Sequence, residues 1–333
     1  MSDVRTDTPS LTDRIRAVKT DGTVVGVHFL DATPVFVLGE EALLFAPAEG
    51  ETRVAVHGGG ILASASDGKR IVTGGDDGQV VATDAQGEHT VLAADPKKRW
   101  IDQVALGPDG AVAYNTGKTA HVRTGKGDIK TWDAPSTVAG LAFAPKGFRV
   151  AVAHYNGVSL WFPNSQAAPE KLEWKGSHLA VAFSPDGRFL VTAMQEPMLH
   201  GWRLSDGKHM RMSGYSARVR SFRWTDDGAF LATSGYEQLI LWPFESKDGP
   251  MGKQPRILAP AQARVALVAP HPHAGVIATG YADGMILLVR ADDGGEVLAR
   301  RPGGSAIAAL GWDAEGRQLA FGAEDGQAGV IAL

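Results

Sequence analysis

Apolar positions along the chain come in short runs of about five residues broken by Gly, Pro, Asp and Asn, and no stretch keeps the three-to-four spacing of a helix face. Val-Ala-Phe at 181–183, Phe-Leu-Val-Thr-Ala at 189–193 and Leu-His-Gly-Trp at 199–202 are typical. Such runs, bounded by turn residues, predict β-strands throughout. One phrase recurs. Its clearest copy is Ala182-Phe183-Ser184-Pro185-Asp186-Gly187 followed by Arg188-Phe189-Leu190-Val191-Thr192-Ala193. Other copies turn at Asp67-Gly68, Pro108-Asp109-Gly110, Pro145-Lys146-Gly147, Asp227-Gly228 and Glu315-Gly316. Two degenerate copies turn at Asp31-Ala32 and around His271-Pro272-His273-Ala274-Gly275.

The turn glycines at 68, 110, 147, 187 and 228 are 42, 37, 40 and 41 residues apart, and Gly316 follows Gly228 by 88, two further units. A period of about 40–45 residues is that of a four-stranded propeller blade. Pro presets φ at the start of the turn, and Asp-Gly supplies an acceptor and a residue tolerant of positive φ, so the first two strands of each unit fold into a hairpin. A second turn recurs at Asp76-Asp77-Gly78, Asn156-Gly157, Ala282-Asp283-Gly284 and Glu324-Asp325-Gly326. Small residues precede it, such as Thr73-Gly74 and Thr279-Gly280, and they would let neighbouring strands crowd together.

Three units mark the third strand with tryptophan: Leu160-Trp161, Gly201-Trp202 and Leu241-Trp242. With the phrase at 182–193, this resembles the WD-repeat β-propeller family from about residue 14 to Leu333. The resemblance implies an all-β propeller and, for most members, a platform for other macromolecules. Phe162, Arg203 and Pro243 stand where the family carries Asp after the tryptophan, and Gly214-Tyr215 stands at the place of a Gly-His pair. Buried His-Asp networks are therefore not expected, and packing should stabilise the units. Two degenerate and six clear units give eight expected blades, with seven, the family's commoner number, as the alternative. The last unit ends in a third strand, Gly329 to Leu333, so Arg14–Lys19 is expected to complete that blade and close the ring. Residues 1–10 are expected as a flexible tail and 11–333 as a single propeller domain, with Phe244–Ala261 an extended connection.

Composition changes little in this picture. The 333 residues hold 44% hydrophobic and 21% charged residues with 41 Gly, which fits a folded, turn-rich chain rather than a disordered one. A net charge of −4 and a pI near 6.2 give no footprint for duplex nucleic acid or an anionic membrane. Absence of cysteine removes thiolate chemistry, disulfides and Cys-ligated metals. With no leader-like or membrane-length apolar run, a cytoplasmic location is expected, for a monomer or a subunit of a larger complex.

Candidate chemistry is sparse. Neither Gly58-Gly59-Gly60 nor Gly303-Gly304-Ser305 opens a helix that could hold phosphate, and no nucleophile turn is present. His271 and His273, flanking Pro272, are the only close histidine pair and weak metal candidates. No cofactor is expected. A metal-binding or hydrolytic site in a central channel is the alternative function. In the resembled family the connections between blades and the turns after the second strand share one narrower face, and here Trp100, Arg218 and Arg264 would occupy the connections and Tyr155, Tyr236 and Tyr281 the turns. Aromatic and Arg side chains anchor protein interfaces. Lys97-Lys98-Arg99-Trp100 adds cations beside an aromatic, suited to an acidic peptide or a single strand. The reading is a non-catalytic protein–protein interaction scaffold, with Arg99, Trp100, Tyr155, Arg218, Tyr236, Arg264 and Tyr281 binding a protein or peptide partner.

Overall fold

The computed structural model describes residues 10–333. Its strands are antiparallel throughout and form four-stranded, propeller-type sheets in chain order. They comprise Val24–Leu30 to Thr52–Ala55, Ile61–Ser66 to His89–Ala94, Val104–Leu106 to Ile129–Asp133, Phe222–Trp224 to Arg256–Leu258, and Val265–Pro270 to Glu296–Arg300. The last sheet takes Ile307–Trp312, Gln318–Ala323 and Gln327–Ala332, and its fourth strand is the N-terminal Ile15–Lys19, with Ile15 opposite Ile331 and Lys19 opposite Gln327. The N-terminal strand thus completes the last sheet as expected. No helix among the described residues is long and apolar enough to cross a membrane.

Between residues 140 and 213 lies a six-stranded sheet, so the described strands form seven sheets rather than the favoured eight. The reason is continuity of two strands. Val150–Trp161 runs 12 residues and Glu170–Phe183 runs 14, each the length of two ordinary strands. Gly157–Leu160 pairs with Glu170–Glu173 after a shift at Tyr155, whereas Ala180–Phe183 pairs with Leu190–Ala193 after a shift at His178. Asn156 and Gly157, at φ 67° and 142°, lie within the first strand at its register shift, and Gly176, at φ 116°, lies within the second, so neither is interrupted by a loop. Two sequence units are fused there into one hydrogen-bonded sheet.

The chain divides into two compact units, Val37–Arg218 and Met1–Phe36 with Val219–Leu333. In both, the second strand of a sheet is buried along almost its whole length, as at Val112–Thr116, Phe189–Met194 and Val276–Tyr281, whereas outer strands such as Ile129–Asp133 are mostly exposed. Burial on both faces explains the continuous apolar runs where a one-sided sheet would alternate. Within the first unit, Leu160 and Leu172 pack with Leu190 and Trp202; within the second, Leu241 and Phe230 pack with Val268, Ile277 and Leu287. The third-strand tryptophans Trp161, Trp202 and Trp242 are buried. Crowding at the small residues is real: a Cβ on Gly74 would lie 2.6 Å from the Ile101 carbonyl oxygen, and one on Gly280 would lie 2.8 Å from Ile307 Cβ.

Turn chemistry follows the sequence closely at the clearest copy. Asp186 Oδ1 accepts from the Ser184 hydroxyl at 2.7 Å and the Arg188 N–H at 2.9 Å, and Gly187 sits at φ 76°. Three expectations need correction. Ser10, placed in the tail, forms a bridge to Leu298, and the next N–H, of Leu11, donates to the Leu298 carbonyl at 2.8 Å; residues 1–9 lie outside the described residues. The expected connection Phe244–Ala261 contains Arg256–Leu258, which pairs with Leu239–Leu241 as an outer strand, because its apolar Ile257 and Leu258 outweigh the flanking prolines. Finally, a histidine–aspartate network does exist. His57 is hydrogen-bonded through Nδ1 to Asp77 Oδ1 at 3.1 Å and through Nε2 to Thr73 at 2.8 Å, and Asp77 also accepts from Gly58 and Gln79 N–H groups. Burial raises the Asp77 pKa, but these donors outweigh it and hold the carboxyl below its usual range.

Candidate interaction surface

The strongest display of an anchor-type side chain is on the loop before Val104–Leu106. Asp95 organises this loop: its carboxylate accepts from the Lys97 and Arg99 N–H groups and from Arg99 Nε at 3.1 Å and a guanidinium NH2 at 2.7 Å. Those bonds, led by the guanidinium, hold the Asp95 carboxyl down to about 2. Arg99 is therefore partly committed to its own loop. Ile101 is fully buried and its N–H donates to the Gly75 carbonyl, while Trp100, one residue earlier, is 65% exposed. The loop thus holds an indole in water with its backbone fixed on both sides. Covering such a ring removes about 150–250 Å² of surface from water with few side-chain torsions to freeze.

Tyr155 and Arg218 belong to the same unit. The Tyr155 N–H donates to Ser136 Oγ at 2.9 Å and the residue is 53% exposed, standing at the register shift within Val150–Trp161. Arg218 donates to Gln195 Oε1 at 3.1 Å. Gln195 and Tyr155 line one groove of about 400 Å³, so the two predicted residues meet there, one directly and one through Gln195. Trp174, Met198 and Arg211 line it too. Sequence reasoning passed over these three because Trp174 lies outside the third-strand tryptophan register, at the join that no loop marks.

Beneath the groove, Trp174 stacks on His200 at 4.0 Å between ring centres, and Trp202 meets His200 edge-on at 4.8 Å. His200 is fully buried and neither ring nitrogen has a hydrogen-bond partner. Burial, reinforced by the neighbouring His209, His178 and Arg211, pushes its pKa down to about 3. It is a neutral, apolar-packed imidazole.

In the other unit the backbone brings three predicted positions into register. The Val265 N–H donates to the Tyr236 carbonyl at 2.8 Å, Val265 pairs with Tyr281, and the Ala282 N–H donates to the Arg264 carbonyl. Their side chains diverge in exposure. Arg264 is exposed and Tyr236 half-buried, whereas Tyr281 is fully buried and its hydroxyl donates to the Ala259 carbonyl at 2.9 Å. Tyr281 is accordingly core and not a contact residue: Val265, Met285 and Leu287 surround it, and a backbone acceptor satisfies its one polar atom.

His271 and His273 are also committed internally. The His273 N–H donates to His271 Nδ1, which leaves the His271 Nε2–H to donate to the Gly316 carbonyl at 3.0 Å; His273 Nε2 reaches the Ala314 carbonyl at 2.7 Å. Both rings clamp the turn of the next sheet, with three of their four nitrogens used. Among the described residues no group of three or more His, Cys, Asp or Glu side chains is arranged to hold a metal ion.

No family model matches the chain. The WD repeat-containing protein slp1 of Schizosaccharomyces pombe (strain 972 / ATCC 24843) is 29% identical over 164 residues, 45% of this chain and 33% of that protein. The WD repeat-containing protein 1-B of Xenopus laevis is 28% identical over 171 residues, covering 45% and 28%. The matched region is a third or less of either relative's length. Among solved structures, the computationally designed Ika8 protein superposes with a TM-score of 0.74 at 18% identity, over 95% of this chain and 98% of that one; the likeness is one of fold. WD-repeat relatives and propeller-type sheets together are consistent with a WD-repeat propeller family.

Proposed function

We propose that this WD-repeat-like propeller is a non-catalytic interaction scaffold, binding a protein or peptide partner through Arg99, Trp100, Tyr155, Arg218, Tyr236 and Arg264. The observation that carries the reading is Trp100, 65% exposed on a loop pinned by Asp95 and Ile101. An indole held in water on a fixed backbone offers a large area that a partner can cover at little entropic cost, and Trp, Tyr and Arg are the residues enriched where partners bind tightly. Tyr155 supports it as a second exposed aromatic in the same unit. We further infer that the chain holds eight packing units distributed over seven sheets, the fused sheet contributing two. The protein acts in the cytoplasm, as a monomer or one subunit of a complex.

The test is affinity purification from the native cell with wild type, with Trp100→Ala, and with Arg218→Glu combined with Arg264→Glu. Loss of the same co-purifying proteins from both variants supports the reading. Identical recovery from all three removes these residues from consideration.

A further inference from the structure

We propose that the groove between Tyr155 and Trp174 selects a peptide segment with one bulky apolar side chain flanked by a carboxylate. This rests on the scaffold reading and specifies the chemistry of one of its surfaces. The groove, about 400 Å³, is large enough for one large side chain and a turn of backbone. Its apolar part is preformed. Trp174 is fixed by stacking on His200 at 4.0 Å and by a tilted contact with His209 at 4.8 Å, and its carbonyl accepts from His178 Nε2 at 3.0 Å. Met194 and Met198 supply a floor that adapts to different apolar shapes. The opening depends on Gly176: a Cβ there would lie 2.9 Å from Met194 Cε and 3.4 Å from Glu196 Oε2, and its φ of 116° excludes most side chains.

Charge decides the occupant. Lys175 and Arg211 line the groove against a single anion, Glu196, and neither cation has an ion-pair partner among the described residues. Arg218 adds a third cation behind Gln195. Two unpaired cations beside an aromatic wall, on a chain whose net charge is −4, are complementary to a carboxylate next to an apolar anchor, with Arg211 able to bind it bidentately. Glu196 opposes an occupant that is anionic along its whole length. A peptide therefore fits better than a polyphosphate strand.

A phage-displayed library of short random peptides is selected on the immobilised full chain, and selected peptides are measured by fluorescence anisotropy. Enriched sequences should place Phe, Tyr, Trp, Leu or Met beside Asp or Glu. Affinity should fall at least about tenfold for Lys175→Glu with Arg211→Glu and for Tyr155→Ala, stay unchanged for Lys126→Ala at an exposed turn of the same unit, and weaken with salt as exposed charges are screened. A peptide with Lys in place of its Asp should bind the charge-reversed variant better than wild type, which shows that the variant is folded. Enrichment of basic peptides, no enrichment, or competition by single-stranded oligonucleotide equal to that by the peptide would overturn the proposal. Peptides lost only by Trp100→Ala overturn the groove but leave the scaffold reading standing.

Discussion

Replacing His200 with leucine should leave the protein as stable as before at pH about 7.5, or more stable by up to about 2 kcal/mol, although the side chain is fully buried. Two buried nitrogens without partners each carry a desolvation cost of roughly 1–3 kcal/mol, which a similarly sized apolar side chain removes. Against this stands the loss of stacking on Trp174 and Trp202, about 0.5–1.5 kcal/mol for an aromatic pair. The pH dependence is the sharper consequence. The folded pKa is about 3 and an unfolded histidine titrates near roughly 6.5, so the unfolded state binds the extra proton between these values. Stability contributed by neutral His200 is thus complete above the unfolded value and lost as pH falls, by at most about 1.4 kcal/mol per pH unit. Urea unfolding of both proteins at stepped pH gives the difference directly, since His28, lowered to about 4, and the lowered His154 and His178 are common to both. Parallel curves, or a leucine variant about 2 kcal/mol less stable at neutral pH, would refute the unpartnered imidazole.

Three further outcomes follow from burial. Tyr281→Phe orphans the Ala259 carbonyl and should cost about 1 kcal/mol in chemical denaturation, whereas Tyr155→Phe should not shift the midpoint. Trp202→Ala should cost about 3–5 kcal/mol, because the indole is 2% exposed within its cluster. Asp77→Asn should weaken the His57 network by about 1–3 kcal/mol, and hydrogen exchange at Gly58 and Gln79, whose N–H groups donate to that carboxylate, should accelerate.

The repeat was legible because its turn residues have local chemistry: Ser184, Asp186 and Gly187 bond among themselves whatever surrounds them. The closing strand was legible from an unpartnered third strand. The sheet count was not, because at Tyr155 and Gly176 the units join through backbone hydrogen bonds rather than through a loop of recognisable composition. Site residues were legible only by type. Tyr155, Tyr236 and Tyr281 occupy equivalent turns, yet exposure separates them, since Tyr281 alone meets a buried carbonyl at hydroxyl distance. The His57–Asp77 pair was hidden because its histidine lies 20 residues upstream of its aspartate and outside the Gly-His pattern.

Hydrogen–deuterium exchange of the full chain, with and without the partner recovered by affinity purification, tests the central claim most directly. Slowed exchange around Lys97–Ile101, around Tyr155–Gly157 and Trp174–Ser177, and at Tyr236 and Arg264 is the predicted result. Unchanged exchange in those segments, with protection confined to outer strands such as Ile129–Asp133, would contradict it.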